Sequence, residues 1–216
     1  MPAIVLLDVN GTLTDLTPIG APWEDPGLGE RVLNTAIFTG MVDALSGTGQ
    51  RSFSEHLSAA VEVRVADEDL DPSGVAAAIQ AAAALPARPG AADALARLRA
   101  GGVTLIALTN SGAAAGRATL EGCGLIGFVE RVLGVDAVAT FKPHPDVYAY
   151  ALAQAGRDPA QVTLLATHAW DLAGAKYAGM GTAWVRHGAV GWPAVFPEPD
   201  VSGETLVDVA QALLAA

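Results

Sequence analysis

Four short polar clusters carry the side chains of this sequence that could do chemistry. They are Asp8-Val-Asn-Gly-Thr-Leu-Thr-Asp15, Leu108-Thr-Asn-Ser-Gly112, Phe141-Lys-Pro-His-Pro-Asp-Val-Tyr148 and Ala166-Thr-His-Ala-Trp-Asp171. Together they offer carboxylates, an amine, imidazoles, hydroxyls and amides, the set needed for nucleophilic attack and proton transfer near neutral pH. Taken alone, Asp8 is open to two readings, a turn cap or a nucleophile. Thr109 and Asn110 equally suit a helix N-cap. His168 is either a base near neutral pH or a hydrogen-bonded group with no part in proton transfer.

The elements that would position these clusters are legible from periodicity. Residues 3–9 form a nearly continuous apolar run, the pattern of a strand buried on both faces of a parallel sheet. Runs 103–108, 129–133, 162–166 and 182–185 have the same character. Helical periodicity marks 91–100, 113–120, 145–154, 169–178 and 206–214. This alternation predicts an α/β domain with a parallel sheet, whose carboxyl strand ends would gather the polar clusters on one rim. The alternation breaks between 15 and 87, where Pro18, Pro22 and Pro26 precede helical patterns at 28–45, 53–65 and 75–85. The expected division is a core of residues 1–14 and 88–216 with a helical cap of residues 15–87 inserted into it.

Composition narrows the partners. The 216 residues carry 12 Lys+Arg against 23 Asp+Glu, a net charge of −11, and only Lys142 and Lys176 are lysines. With 51% hydrophobic and 16% charged residues the chain is able to bury a core. The acidic balance argues against nucleic acid and anionic membrane as partners. An anionic substrate would need a local positive group inside a cleft. Cys123 has no second cysteine to pair with and reads as structural. No apolar run approaches the length of a membrane-spanning helix, and no leader pattern opens the chain, so the expected location is cytoplasmic.

These motifs resemble the haloacid dehalogenase superfamily. Asp8 with its Asn-Gly-Thr-Leu turn is similar to the first motif, Thr109-Asn110 to the second, Lys142-Pro143 to the third and Asp171 to the acidic fourth. The Lys142 to Tyr148 spacing and the Ala-Trp-Asp171 run continuing to Lys176 look like the type II (L-2-haloacid) dehalogenases. The resemblance implies a Rossmann-like parallel sheet with a helical cap. It also implies Asp8 as nucleophile with Thr12 beside it, Lys142 as its ion partner and Asp171 as the partner of Lys142. Asn10, Thr109, Asn110, Tyr148 and His168 would meet the substrate.

Several positions depart from the family pattern. The superfamily's phosphatases place a second Asp at position 10 to protonate the leaving alcohol, and its dehalogenases a Tyr; here Asn10 does neither. Ala166 stands where the dehalogenases carry Ser, and His168 where they carry Asn. A gap-free match of the cap helix puts Asn34 where they carry a halide-binding arginine, with Arg31 one turn earlier as the other candidate; Arg51 and Arg64 read as solvated. Trp23, Ile37, Phe38 and Met41 are candidates for an apolar pocket wall.

The expected function is hydrolysis of the carbon–halogen bond of a small 2-haloacid through an aspartyl ester, with no cofactor. The alternatives are a Mg2+-dependent phosphatase, with Asp8, Asn10 and Asp171 as ligands, or a vestigial binding protein. A small anionic substrate is the expected partner, and the apolar cap helix could support a homodimer.

Overall fold

The structure is a computed structural model that describes residues 1–47, 51–188 and 191–215. Strand β1 (Ile4–Leu7) leads through a 3-10 turn at Thr17–Trp23 into helices α1 (Leu28–Ser46), α2 (Phe53–Asp67) and α3 (Val75–Ala82). Helix α4 (Ala91–Ala100) then opens the regular alternation: β2 (Thr104–Thr109), α5 (Ala113–Gly122), β3 (Arg131–Gly134), α6 (Pro145–Ala155), β4 (Val162–Ala166), α7 (Ala169–Tyr177) and β5 (Gly181–Val185). A short strand β6 (Val201–Gly203) and helix α8 (Leu206–Ala215) complete it.

The six strands form one parallel sheet in the order β3-β2-β1-β4-β5-β6. β1 is central because it is buried on both faces, and its residues alternate between two cores as a strand's period of two requires. Ile4 and Leu6 pack with α6, α7 and the inserted helices, whereas Val5 and Leu7 pack with α4, α5 and α8. Burying a side chain of this size stabilises the fold by about 1.5–3 kcal/mol. The sheet's central strands therefore form a stiff platform for whatever leaves their carboxyl ends.

The inserted helices join the sheet through two adjacent chain crossings. Thr14 and Ala87 form an isolated antiparallel bridge. Asp15 N–H donates to Pro86 O at 2.9 Å, and Arg88 N–H donates to Leu13 O at 2.8 Å. On α1, Val32, Leu33, Ala36 and Ile37 face inward while Phe38, Val42 and Leu45 face outward. Among the described residues no helix is long and apolar enough to cross a membrane.

Candidate active site

Asp8 follows β1 directly, and its N–H donates to Leu165 O at 3.1 Å, continuing the β1–β4 pairing to the rim of the sheet. The chain then turns through Gly11, whose φ of +80° favours glycine. A Cβ there would also meet the His168 ring and Leu33 at 3.1 Å. The turn brings Thr12 back over Asp8: its Oγ1 donates to Asp8 Oδ2 at 2.6 Å. The same oxygen accepts the Thr167 N–H at 3.0 Å, which aims the hydroxyl proton at Asp8.

Lys142 reaches Asp8 from the loop before α6. Its Nζ donates to Asp8 Oδ1 at 2.7 Å, Asp171 Oδ2 at 2.6 Å and Leu108 O at 3.1 Å. Three ammonium protons thus meet three acceptors in a side chain only 1% exposed. Burial opposes every charge here, and the pairing decides the outcome. For Asp8, burial is outweighed by the Lys142 ammonium and the nearby His168 ring, which hold its carboxyl well below the usual range. For Lys142, burial is outweighed by Asp171 and Asp8, which push its ammonium above the ordinary value. Asp171 moves the other way: burial, reinforced by the nearby Asp8 charge, raises it despite Lys142.

Asp171 lies in the first turn of α7 and is fully buried. Tyr148 on α6 donates to its Oδ1 at 2.7 Å and lies 3.1 Å from its backbone oxygen. Burial, then the Asp171 charge, pushes the Tyr148 phenol well above its ordinary value, so it remains a donor. Asn110 Oδ1 accepts the Lys142 N–H at 2.8 Å, which leaves its amide N–H groups as the donor end. Thr109 Oγ1 accepts the Ser111 N–H at 3.1 Å.

A cavity of about 10 Å³ adjoins Asp8, with Asn10, Thr109, Asn110 and His168 on its polar side. Leu33, Ile37, Phe53 and Trp170 form its apolar side. His168 Nδ1 lies 3.4 Å from Asp8 Oδ2, and the ring stacks on Trp170 at 5.5 Å. Phe53 and Asn110 also border a neighbouring cavity of about 240 Å³ that Arg51 lines.

The inserted helices place their polar residues differently from the sequence expectation. Arg31 does not face Asp8. Its guanidinium donates to Glu68 at 2.8 and 2.9 Å and to Asp25, which hold it at the surface of the insertion. Asn34 is exposed on the outer face of α1, because the inward stripe of that helix is taken by Leu33 and Ile37. Arg51 pairs with Asp43, and Arg64 with Asp67 and Glu68. Of the four apolar candidates only Ile37 lines the small cavity; Phe38 is exposed, Trp23 packs on Gly74, and Met41 borders a separate groove with Phe141 and Pro143. Tyr148 lies beneath the cavity, against Asp171, rather than in its wall.

The family model of the haloacid dehalogenase-like hydrolases matches residues 2–179. The chain belongs to this family. It is 36% identical over 127 residues to a probable phosphatase, IndB, of Dickeya dadantii, covering 57% of this chain and 54% of that protein. It is 32% identical over 94 residues to an (S)-2-haloacid dehalogenase of a Pseudomonas species, covering 44% of this chain and 40% of that protein. The chain thus spans about half the length, or less, of these curated relatives. In fold it is similar to the L-2-haloacid dehalogenase of Xanthobacter autotrophicus, with a TM-score of 0.87 and 23% identity over 99% of this chain and 98% of that one.

Members of the family that use Mg2+ need open oxygen ligands in octahedral array. The carboxylates that would supply them here, Asp8 and Asp171, are already drawn into contacts with other side chains. Both Asp171 oxygens are engaged, by Lys142 and Tyr148, and both Asp8 oxygens by Lys142 and Thr12. Among the described residues no group of three or more His, Cys, Asp or Glu side chains could hold a metal ion. Sequence reasoning passed over Phe53, Trp170 and the Thr167 N–H, all of which shape the cavity or its hydroxyl. Only the Trp170 position, two residues beyond His168, carried a local signal.

Proposed function

We propose that this hydrolase cleaves the carbon–halogen bond of a small 2-haloacid through an ester on Asp8. The observation that carries the proposal is the side chain at position 10: an amide, and no carboxylic acid, borders the cavity next to Asp8. A departing alkoxide needs a proton; a departing halide does not, because its conjugate acid is strong. Position 10 supplies no such proton, which favours displacement of a group stable as an anion. Similarity to the Pseudomonas (S)-2-haloacid dehalogenase supports the same choice.

In this mechanism an Asp8 oxygen forms a bond to the substituted carbon as the halide leaves with the bonding electrons. Lys142 keeps Asp8 ionised and offsets the charge that moves through the transition state. The amide groups of Asn10 and Asn110 meet the halide or the substrate carboxylate. Neutral donors of this kind give roughly half the strength of a charge-assisted contact. The cavity of about 10 Å³ holds about one water, so a haloacid enters only if α1 and α2 yield. That favours the smallest acids.

A second reading, a Mg2+-dependent phosphatase, is favoured by the name of the Dickeya relative. Two panels separate them: halide release from chloroacetate and 2-chloropropionate in EDTA, and phosphate release from small phosphate esters with Mg2+. Halide release that Asp8→Asn abolishes is the expected result. Magnesium-stimulated phosphate release without halide release would replace it with the phosphatase reading.

A further inference from the structure

We propose that His168 is the general base of the second half-reaction, taking a proton from the water that attacks the Asp8 ester. The inference rests on the aspartyl-ester reading above and concerns how that ester is cleared. The His168 side chain is 10% exposed, yet neither ring nitrogen has a hydrogen-bond partner among the described residues. Leaving a buried polar atom unpaired is costly, so two such atoms on one ring beside a nucleophile call for a polar occupant. At 3.4 Å, Nδ1 is too far from Asp8 Oδ2 for a well-formed hydrogen bond. The cavity that both residues border, about 10 Å³, is at the lower limit of the space that one water needs. Trp170 holds one face of the ring, and the missing Cβ of Gly11 lets the ring's Cε1 edge approach the turn.

Asp171, the other carboxylate of the cluster, does not reach such a water. Its oxygens are bound to Lys142 and Tyr148, it is fully buried, and it does not border the cavity. Asp171 is a positioning residue for Lys142. His168 is the basic group with a free nitrogen at the cavity.

The step balances as follows. With the ester on Oδ2, the water oxygen bonds to Cγ of Asp8 as its proton passes to His168. Negative charge develops on Oδ1, which faces Lys142 Nζ at 2.7 Å. The bond from Cγ to the ester oxygen then breaks, and the departing alkoxide takes the proton from His168 to give the 2-hydroxy acid. Asp8 is left protonated and releases that proton to solvent.

A single-turnover experiment with 2-chloropropionate, reading chloride and 2-hydroxy acid separately, tests this. Wild type should form both. His168→Ala should release one chloride per active site but form the hydroxy acid at least about 100-fold more slowly. Esterified Asp8 should then accumulate in the mass spectrum, and added imidazole should restore part of the rate. His168→Gln, which keeps polarity without a base, should behave alike and carries the test if the alanine variant does not fold. Hydroxy acid formed at the wild-type rate by either folded variant overturns the role of His168 alone. So does loss of both products together without ester. Wild type that releases no chloride overturns the dehalogenase reading, and this inference with it.

Discussion

At the scale of single residues, the site is a dry chain of contacts from Tyr148 through Asp171 and Lys142 to Asp8. Each link satisfies the next, so the value of any one lies in the vacancy its loss creates. Tyr148→Phe keeps the ring packing but leaves Asp171 Oδ1 buried without a donor. Denaturant unfolding should show a loss of about 1–3 kcal/mol with unchanged m-value. An unchanged midpoint would mean that water or another donor takes the place of the hydroxyl. Asp8, Lys142 and Asp171 were picked out in the sequence by their motif spacing and the structure brings them together, whereas Tyr148 was picked out as a substrate contact and lies instead beneath the cavity against Asp171. Arg31 was not legible, because its partner Glu68 lies 37 residues away, just past the end of another helix. Asn34 was misplaced because a gap-free match counts residues and not direction around the helix. The buried stripe Val32, Leu33, Ala36 and Ile37 already leaves position 34 on the outside.

At the scale of elements, the separation between α6 and α7 is what lets Tyr148 reach Asp171. Gly174 on α7 makes the approach possible: a Cβ there would lie 2.5 Å from the Tyr148 hydroxyl oxygen. The glycine is there for packing, since its φ is unremarkable. Gly174→Ala should therefore destabilise the protein by about 1–3 kcal/mol through overpacking, despite alanine's better helix propensity. Thermal unfolding checks the sign; a raised midpoint would show that the two helices part without cost. The strands themselves were readable because central parallel strands are continuous apolar runs. β6 was not, because it is a three-residue, partly exposed edge that exists by pairing with β5.

At the scale of the whole molecule, charge and burial together make the fold sensitive to acid. His187 joins the end of β5 to the loop after β1, with its Nε2 3.1 Å from Thr12 O. Burial, with Arg88 nearby, lowers its pKa from the usual 6.5 to about 4. The native state then binds fewer protons than the unfolded chain between those values. Its contribution is fully present above about pH 6.5, falls as the pH drops, and is gone below about 4. Asp8, also lowered, loses stability at still lower pH, below the usual carboxylate range. His187→Asn, which suits the positive φ of 46° at that position, should flatten the melting temperature between pH 6.5 and 4 and leave the steeper loss below it. A variant whose acid profile overlays wild type would place the sensitivity elsewhere.

The bridge between Thr14 and Ala87 has a consequence for how such a protein is able to change. The outgoing and returning chains meet side by side, so the segment between them leaves and rejoins the sheet at one place, while its inward stripe packs into the same core as Ile4 and Leu6. Residues on its outer face, such as Asn34, Phe38 and Leu45, stand clear of that core and are free to vary without disturbing it. The small cavity beside Asp8 is accordingly a seam between the two stretches: one supplies its polar side, and the other most of its apolar side, so a change in the inserted helices reshapes the space without altering the polar groups.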